Sequence, residues 1–522
     1  MAPTLLLGID GATFTVLDPY MQRGVMPFLR DLTARGVRAP LRTIMPPLTP
    51  PAWTSLMTGK RPGRHGVFDF FQKESADSEY YAFTTSQDVR SATIWSLASA
   101  HGRRVISLNF PMMFPPPAVD GAVVPGGWMP WRQLRLGCHP PGLFDRLKRL
   151  PSFDPRELAL DMELEAKAIE GCPDDEYADW IRLHSRREER WFEILRHLMT
   201  ADEPAELVAI MFDGVDKLQH LCWRFIDPAC RPDRPSPWEQ EMIDLCEGYF
   251  RRLDALLAAA VELAGEDATV VVASDHGFGP TRDLFHLNSW LEQQGYLAWN
   301  DAADGAGEQP RIGFAEMTRH VHELDWDRTV AYAATPTSQG INIVSDDRRD
   351  ALRTELADAL RQVRNPATGR PLVTDVLTRD EAFPGPYRDL APDLFLALAD
   401  GAAVSIVRSD ALWQRRPHPN GNHDWQGVFL AAGPHIRAGV RLDELSIVDV
   451  APLLLYSLDV PIPGDLDGRL PVAAIVPERL RTRPPVAAPA VWEPAPAASD
   501  VTYDPEEEAT ILNRLRALGY VE

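Results

Sequence analysis

The sequence predicts an α/β fold built on a mostly parallel sheet, and three observations favour it. The chain has 522 residues, of which 45% are hydrophobic and 25% are charged, the balance of a folded globular protein. Short apolar runs of strand length alternate with amphipathic runs of helix length, as in chains that build parallel sheets. The segment Ala268–Ser274 is a continuous Val-rich run, which is typical of a strand buried on both faces.

The first part of the chain predicts strand, helix, helix and strand in turn. Thr4–Ile9 is an apolar run that leads into Gly-Ile-Asp-Gly and predicts a buried strand. Pro27–Arg35 predicts a helix that Gly36 closes. Ser91–Ala100 predicts a second helix, and Val105–Asn109 predicts the strand that follows it. This alternation indicates that the sheet begins at the amino terminus.

The chain changes character near residue 110 and returns to sheet character near residue 203. Pro-rich turns and polar helical stretches, the clearest of which is Tyr177–Met199, predict a helical insertion over residues 111–202. Leu207–Phe212 then predicts a strand, and Trp238–Ala264 predicts a long helix before the Val-rich strand. The sheet is therefore expected to resume after the insertion.

The last part of the chain predicts a second interruption. A polar loop and the helix Asp350–Val363 predict a lid insertion over residues 297–385. Asp393–Ala399 and Val428–Ala432 return to strand character, and Ile447–Leu458 predicts a helix. Pro392-Asp393-Leu394 is interpreted as a structural turn that enters a strand.

These predictions divide the chain into a core and its additions. The expected catalytic core comprises residues 1–110, 203–296 and 386–470. Residues 471–522 add a Pro- and Ala-rich linker and a helix, Asp504–Tyr520, which has one apolar face. We expect that face to dock on the body of the protein or on a partner, which leaves a homodimer open.

Charge and composition exclude several classes of function. The net charge of -22 argues against general nucleic-acid binding, but a metal site can still attract a small anionic substrate by inverting the local field. No apolar run approaches the roughly 18 residues that a membrane span needs. The amino terminus lacks the basic flank of a signal peptide, and the five cysteines show no Cys-x-x-Cys spacing. These features predict a cytoplasmic protein.

Acidic and histidine residues stand close to the ends of four predicted strands, where open α/β sheets gather their functional side chains. They are Asp10, Asp216, His220, Asp275, His276 and His423. Each one alone is usually a helix cap, a turn residue or a packed histidine. Together they supply enough ligands for two metal ions. Imidazole nitrogen and carboxylate oxygen without thiolate suit Zn²⁺, Mn²⁺ or Fe.

A second signal is the proline-rich start of a helix. Prolines are favoured in the first helical positions, and they place Thr49 at the N-cap of a helix that ends at Gly59. Thr49 is then either an ordinary capping residue or a nucleophile. A hydroxyl at the positive end of a helix would face an incoming phosphate, and a metal ion would lower its pKa.

Five short motifs occur in order along the chain: Gly8-Ile9-Asp10-Gly11, the segment from Thr49 to Gly66, Asp216-x-x-x-His220, Ser274-Asp275-His276-Gly277 and Gly421-Asn422-His423. Together they resemble the alkaline phosphatase superfamily, and within it the type I phosphodiesterase/nucleotide pyrophosphatase branch with its bacterial phosphohydrolases and phosphomutases. The resemblance covers residues 3–110, 203–290 and 386–470. It implies an α/β/α sandwich around a mostly parallel sheet.

The resemblance also implies a site with two divalent metal ions, Zn²⁺ first of all. The first ion would be held by Asp10, Thr49, Asp275 and His276, and the second by Asp216, His220 and His423. Thr49 would be the nucleophile and would pass through a phospho-threonine intermediate. The implied activity is a two-metal phosphohydrolase that acts on a small phosphorylated substrate, most like a phosphodiesterase or nucleotide pyrophosphatase.

One position departs from the pattern of that family. Nucleotide pyrophosphatases have a His-Gly-x-x-Asp-Asn segment, and here Phe70 stands in place of its Asn. One expected donor to the phosphoryl oxygen is therefore missing. The candidates to replace it are Lys60, Arg64, His65 and Asn422. Nucleotide specificity is accordingly left open.

Other functions of the same site also stay open. They are a phosphomutase, a phosphomonoesterase and a phosphonate hydrolase. A sulfatase is disfavoured because the segment around Thr49 lacks the Cys or Ser that matures to formylglycine. A catalytically silent binding protein would show a damaged ligand set, whereas all seven ligand positions here carry suitable residues.

Overall fold

The computed structural model describes residues 2–73, 81–126, 133–159, 172–300, 323–335, 339–344 and 347–490. The predicted helix Asp504–Tyr520 lies outside these ranges. Within them, no helix is both long enough and apolar enough to cross a membrane.

The strands form one large sheet and several small ones. In chain order they are β1 Thr4–Ile9, β2 Val37–Arg42, β3 Phe71–Lys73, β4 Tyr81–Phe83, β5 Val105–Leu108, β6 Gly121–Val124, β7 Leu207–Phe212, β8 Thr269–Ala273, β9 Gly277–His286, β10 Ala331–Tyr332, β11 Gly340–Ile343, β12 Val373–Thr378, β13 Leu394–Leu398, β14 Ala402–Ser405, β15 Trp413–Asp424, β16 Gln426–Ala432, β17 Val440–Arg441, β18 Leu445–Ser446, β19 Ile462–Pro463 and β20 Ala487–Ala488.

The helices lie mainly on the two faces of the large sheet. In chain order they are α1 Phe14–Gln22, α2 Pro27–Arg35, α3 Thr49–Thr58, α4 Pro62–His65, α5 Ile94–Ala100, α6 Leu134–Gly137, α7 Leu143–Leu147, α8 Pro155–Leu158, α9 Tyr177–Ala201, α10 Gly214–Ile226, α11 Pro237–Ala264, α12 Leu287–Gln293, α13 Arg349–Arg361, α14 Arg379–Ala382, α15 Val450–Ser457 and α16 Pro477–Thr482.

The central sheet has nine strands in the order β17, β2, β16, β8, β1, β7, β5, β6, with β18 also paired to β2. Its middle strands are parallel: β1 pairs with β7 and β8, and β5 pairs with β6 and β7. Strand β16 runs antiparallel between β8 and β2. The mostly parallel α/β sheet predicted from the sequence is therefore confirmed.

Side chains alternate between two cores because successive residues of a strand face opposite sides of the sheet. Leu5 and Leu7 of β1 contribute to the core under α1, α2, α9, α10 and α11. Leu6, between them, contributes to the core under α3, α5 and α15. Both faces are covered by helices, which is why β1 and β8 are buried along their whole length and apolar after their first residue.

A second body of structure lies beyond β9 and has its own core. Strands β10 to β13 form a four-stranded sheet, and β9, β14 and β15 form a three-stranded one. The predicted strand Asp393–Ala399 is present as Leu394–Leu398, but it pairs with β11 and β12 rather than joining the central sheet. Periodicity indicates that a segment is a strand, and only long-range pairing decides which sheet it joins.

Local differences from the sequence prediction have local causes. Helix α5 begins at Ile94 rather than at Ser91, because Thr93 and Ser96 form a capping box there. Helix α3 begins at Thr49 itself, with Leu48 as the N-cap, so Thr49 is the first helical residue and not the cap. Helix α1 was not predicted, because Pro19 interrupts its pattern.

Candidate metal centre

Four elements bring the predicted ligands to one edge of the central sheet. Asp10 follows β1, and Asp275 and His276 follow β8. Asp216 and His220 lie one turn apart in α10, which begins directly after β7. The carboxyl ends of these parallel neighbouring strands necessarily meet at one edge.

The last predicted ligand arrives on a strand that does not belong to the central sheet. Strand β15 pairs antiparallel with β9, and His423 lies opposite Phe278. Because β9 starts immediately after His276, this register places His423 beside the ends of β1 and β8. Its imidazole ring stacks on that of His276 with ring centroids 3.8 Å apart.

The first group of side chains converges on His276. The Nε2 atom of His276 lies 3.2 Å from Asp275 Oδ2 and 3.6 Å from Asp10 Oδ1. The hydroxyl Oγ1 of Thr49 lies 3.3 Å from the same nitrogen. Asp10, Asp275 and His276 are fully buried or nearly so, and their ligand atoms all lie within 4.8 Å of one another.

The second group converges on one carboxylate oxygen. Asp216 Oδ1 lies 3.2 Å from His423 Nε2 and 3.5 Å from His220 Nε2. The two Nε2 atoms of His220 and His423 are themselves 3.0 Å apart. Asp216 and His423 can also share an ion with His276, since these three have ligand atoms within 4.8 Å of one another. The two groups are therefore adjacent.

Two of the histidine rings are oriented by a hydrogen bond at Nδ1, which leaves the Nε2 atom of each ring facing the cluster. The Nδ1 atom of His276 lies 3.0 Å from the carbonyl oxygen of Gly277. The Nδ1 atom of His423 lies 2.8 Å from the carbonyl oxygen of Pro47. A carbonyl can only accept, so we assign the ring proton to Nδ1 and the lone pair to Nε2 in both rings. Such outer bonds orient metal-binding imidazoles in general.

The carboxylates are held in the same way. The indole Nε1–H of Trp53 donates to Asp10 Oδ2 over 3.2 Å, and the backbone N–H of Gly11 donates to Asp275 Oδ1 over 3.1 Å. The remaining oxygen of each carboxylate faces the cluster. Among the described residues, Asp10 Oδ1, Asp216 Oδ1 and Asp275 Oδ2 are buried and have no hydrogen-bond partner.

Burial and the neighbouring groups shift the pKa values of the clustered side chains. Burial, together with the neighbouring carboxylates, raises the pKa of Asp10 and of Asp275 well above the usual range. Burial also lowers the pKa of His276 and of His220, which favours the neutral form of both imidazoles. Burial alone would raise the pKa of Asp216, but His220 and His423 outweigh it and lower this pKa. Neutral imidazoles and crowded carboxylates are the ligand states that divalent cations require.

Thr49 lies at the start of α3, but this helix has an unusual first turn. Pro50 and Pro51 have no N–H group, and the N–H of Ala52 already donates to the carbonyl of Leu48. Helix amino termini bind phosphate through free N–H groups, and here two of the usual donors are missing. An anion next to Thr49 therefore needs other partners for its oxygens.

The residues predicted to replace the missing Asn have other partners. Lys60 Nζ donates to Asp465 over 2.6 Å, and Arg64 donates to Asp467 over 2.8 Å. The structure does not bring these two side chains into the cluster. Asn422 precedes His423 in β15 and is partly exposed, and Phe70 is also partly exposed.

His65 is fully buried and forms a pair with Ser55 that only superficially resembles a catalytic dyad. The Nδ1 atom of His65 accepts from the N–H of Val67, so its proton is on Nε2 and donates to Ser55 Oγ over 2.9 Å. Burial lowers the pKa of His65 to about 3. A nitrogen that already carries a proton cannot take one from Ser55, so this pair joins α3 to α4.

Two contributors to the cluster were missed from the sequence. Trp53, which donates to Asp10, lies one helical turn after Thr49, and that spacing was the available signal. Phe278 lies two residues after His276, and its ring centroid is 4.8 Å from that of His220 and 5.3 Å from that of His423. Such an aromatic wall excludes water from one side of the cluster.

Comparisons with known proteins show the family and the fold of this chain. The sequence profile of a family described as type I phosphodiesterase/nucleotide pyrophosphatase matches residues 4–426. Among solved structures, murine ectonucleotide pyrophosphatase/phosphodiesterase 5, as an inactive variant in complex with AMP, is similar at 15% identity and a TM-score of 0.51, over 88% of this chain and 96% of that chain.

Two further solved structures are similar over comparable lengths. Human ectonucleotide pyrophosphatase/phosphodiesterase 5 matches at 15% identity and a TM-score of 0.51, over 88% of this chain and 95% of that chain. Phosphonoacetate hydrolase from Sinorhizobium meliloti, in complex with phosphonoformate, matches at 16% identity and a TM-score of 0.49, over 88% and 95%. The two structures with the higher score confirm the predicted alkaline-phosphatase-like α/β/α fold.

Proposed function

Because the chain belongs to the type I phosphodiesterase/nucleotide pyrophosphatase family, a group of phosphoric ester hydrolases in the alkaline phosphatase superfamily, we propose that it hydrolyses phosphodiesters or phosphoanhydrides. Its nucleophile would be Thr49, and its cofactors would be two divalent metal ions. Zn²⁺ is the first candidate for both ions, with Mn²⁺ or Fe as alternatives.

One observation carries this proposal: buried ligand atoms without partners cluster around His276, whose Nε2 atom lies 3.3 Å from the hydroxyl of Thr49. Three carboxylate oxygens in this cluster have no hydrogen-bond partner among the described residues. Buried charges of one sign are costly unless they are paired or bind metal. The residues therefore fit divalent cations, the first held by Asp10, Thr49, Asp275 and His276, and the second by Asp216, His220 and His423.

The proposed reaction follows from the position of each side chain. When bound, the metal ions would lower the pKa of the Thr49 hydroxyl and stabilise negative charge on the phosphoryl oxygens. Thr49 Oγ1 gives up its proton and attacks phosphorus, the bond from phosphorus to the leaving oxygen breaks, that oxygen takes up one proton, and a phospho-threonine forms. A water oxygen then attacks the same phosphorus, the bond to Thr49 Oγ1 breaks, and one proton of the water returns to the Thr49 hydroxyl.

The charges of the proposed site favour a substrate with a single negative charge. While Thr49 is still protonated, two divalent cations would exceed the three carboxylates of Asp10, Asp216 and Asp275 by one positive charge. A phosphodiester carries one negative charge at neutral pH, whereas a monoester carries up to two. No cation from Lys60 or Arg64 is available to balance the second charge, because both pair with aspartates elsewhere.

The net charge of the chain and its cysteines indicate the kind of partner and the compartment that we propose. The expected partner is a small phosphorylated molecule rather than nucleic acid, because the net charge of the chain is -22. Cys138, Cys222, Cys230 and Cys246 are free thiols in the described part of the chain, which supports a reducing compartment such as the cytoplasm. A homodimer stays a prediction, and sedimentation of the full chain would test it.

The test is hydrolysis of bis-(p-nitrophenyl) phosphate against p-nitrophenyl phosphate, with added Zn²⁺ or Mn²⁺. Thr49→Ala should lower turnover by at least about 10³-fold, the scale on which loss of a nucleophile acts. Thr49→Ser should keep measurable activity because it keeps the hydroxyl. Thr54→Ala is the matched control, since Thr54 is buried in the same helix and its hydroxyl only bonds the carbonyl of Pro50.

The outcomes separate the parts of the proposal. A preference for the diester that Thr49→Ala abolishes supports a phosphodiesterase. If Thr49→Ala keeps more than a tenth of the activity, Thr49 is not the nucleophile. A preference for the monoester would instead indicate a phosphatase or mutase, and sugar phosphates with an acceptor alcohol would then be the next substrates.

A further inference from the structure

Gln219 lies between the two groups of proposed ligands and has no role in the proposed reaction. It precedes His220 in α10 and is fully buried. Its Nε2–H donates to the carbonyl oxygen of Gly11 over 2.8 Å. Its other amide atom, Oε1, is buried and has no hydrogen-bond partner among the described residues.

Gly11 links this amide to the first group of ligands. It follows Asp10 in the chain, and its N–H donates to Asp275 Oδ1 over 3.1 Å. The Gly11 residue is thus held at its carbonyl by Gln219 and at its N–H by Asp275. The orientation of Asp275 therefore depends on where Gln219 holds this loop.

Backbone packing leaves the loop little room to find another position. Gly11 has a φ of +66°, and a Cβ atom there would lie 2.9 Å from the ring of Phe278 and 3.3 Å from Asp216 Cα. On the other side, a Cβ atom at Gly421 would lie 2.3 Å from the carbonyl oxygen of Gln219. The loop after β1, the helix α10 and the strand β15 thus meet around Gln219.

Stability alone does not explain an amide at this position. An apolar side chain of the same size would remove the unpartnered Oε1 but would leave the Gly11 carbonyl oxygen unpartnered instead, so the amide brings no net gain in satisfied buried oxygens. The feature that only an amide supplies is the bond from helix α10, which carries Asp216 and His220, to the loop that carries Asp10.

We propose that Gln219 is a positioning residue that anchors the first metal site to helix α10: through Gly11 it holds Asp10 and Asp275 in the geometry that binds the first ion. This inference rests on the proposed function. It predicts that removing the amide lowers the metal affinity of the first site. The metal affinity of the second site should change little, because the contact through Gly11 reaches only ligands of the first site.

The experiment is a Zn²⁺ titration of the full chain after the metal has been stripped by a chelator. The test variant is Gln219→Met, which has nearly the same size and no amide. The matched control is Leu218→Met, a conservative change at the neighbouring buried position of the same helix. His423→Ala, which lacks a ligand of the second site only, identifies which of the two dissociation constants belongs to the first site.

Gln219→Met should weaken the first site by roughly 10- to 100-fold, the usual effect of removing an outer partner of a ligand, and should change the second site much less. The rate kcat on the diester should fall more than KM changes. The stripped variant should unfold at about the temperature of the stripped wild type, because the substitution exchanges one unpartnered buried oxygen, Gln219 Oε1, for another, the Gly11 carbonyl oxygen.

Two results would overturn the positioning role. The first is that both dissociation constants are unchanged in Gln219→Met. The second is that both sites lose metal affinity equally and the stripped chain unfolds at a lower temperature, which is the behaviour of a merely structural residue. A wild type that binds fewer than two equivalents would overturn the two-metal proposal first. If Gln219→Met does not fold, Gln219→Asn replaces it, because its amide is one methylene too short to reach Gly11.

Discussion

Two clusters around buried carboxylates in this chain differ in whether the protein supplies partners for their negative charge. Asp393, at the start of β13, is buried and accepts from the N–H of Ile343 over 2.9 Å and from Arg353 over 2.9 Å. Arg349 and Arg379 pair with it as well. Burial by itself would raise the pKa of Asp393, but these donors outweigh it and lower the pKa.

The metal centre has buried carboxylates and too few donors for them. The pKa values of Asp10 and Asp275 are raised, and each of these side chains has one oxygen without a partner among the described residues. Burial of a carboxylate is therefore not by itself a sign of function. The informative feature is a buried charge whose partner the protein does not supply.

Among the variants that distinguish these two clusters, the largest expected effect comes from removing a ligand of the second site. His423→Ala should lower the metal content to about one ion per chain and reduce turnover by at least about 10²-fold, because both displacement steps need the ion that this imidazole helps to hold. Metal analysis of the dialysed protein gives the stoichiometry. His418→Ala, an exposed histidine of the same strand, should keep both ions. Two full equivalents in His423→Ala would remove His423 from the ligand set.

The balanced cluster should respond in stability and not in metal binding. Asp393→Asn leaves three guanidinium groups without their shared anion and should lower the free energy of unfolding by about 3 kcal/mol, as when one partner of a buried ion pair is removed. Its metal content should stay at the wild-type value. Urea unfolding of both proteins measures the difference.

The control for this prediction is an exposed carboxylate on the same arginine. Asp350 pairs with Arg353 over 3.1 Å, but its side chain is 94% exposed, so Asp350→Asn should change stability by less than about 0.5 kcal/mol. An equally large loss in both variants would contradict the role that we assign to burial at Asp393.

A smaller effect of the opposite sign is expected in the metal centre. Asp10→Asn removes one of the crowded charges and keeps an oxygen that can accept from Trp53. In the presence of a chelator it should stabilise the chain by about 1 kcal/mol, because it relieves repulsion and the burial of charge. With Zn²⁺ the order should reverse, since the wild type gains more binding energy. A chelated variant that is less stable than the chelated wild type would contradict the charge imbalance.

The smallest effect concerns His65, a buried group that needs neither a metal nor an ion pair because it stays neutral. Its pKa is about 3 in the folded chain against 6.5 as the ordinary value, so the unfolded chain binds more protons between these limits. Stability should therefore fall as the pH drops below 6.5 toward 3. His65→Gln should weaken the chain by about 1 kcal/mol at pH 7 through the lost bond to Ser55.

The pH dependence provides the check on His65. The stability gap between the wild type and His65→Gln should narrow between pH 7 and pH 5, because only the wild type carries this histidine. Chemical unfolding at the two pH values measures the gap, and His101→Gln, at an exposed position, is the control. A gap of constant size would mean that His65 takes up a proton in the folded chain.

Most of the central sheet could be predicted from the sequence because its signals are local. Leu207–Phe212 and Thr4–Ile9 are strands with the predicted bounds, since a run of buried apolar residues marks a strand in a parallel sheet wherever it occurs. The ligand-type residues could be named for the same reason, since each follows or precedes such a run. The antiparallel position of β16 was not predicted, because strand direction depends on the connections.

The hydrogen-bond and ion-pair partners of the polar side chains could not be predicted from the sequence. Lys60, Arg64 and His65 are residues of suitable chemistry near Thr49, yet each pairs with another residue in the folded chain. Trp53 is the converse case: it was not predicted as part of the site, yet it donates to Asp10. Its spacing from Thr49 in α3 was the only sequence signal for that contact. Hydrogen-bond partners far apart in the chain leave no mark in local composition.

The sequence by itself determined the α/β class, the family and the set of side chains able to bind metal, because each depends on residue type and short-range order. The tertiary structure alone decided which of those atoms face one another. It brought His423 to the site through the pairing of β15 with β9, and it placed Gln219 against Gly11. The physical reason is that hydrophobic periodicity acts within a segment, whereas charge balance and hydrogen bonding are settled between segments only when the chain has packed.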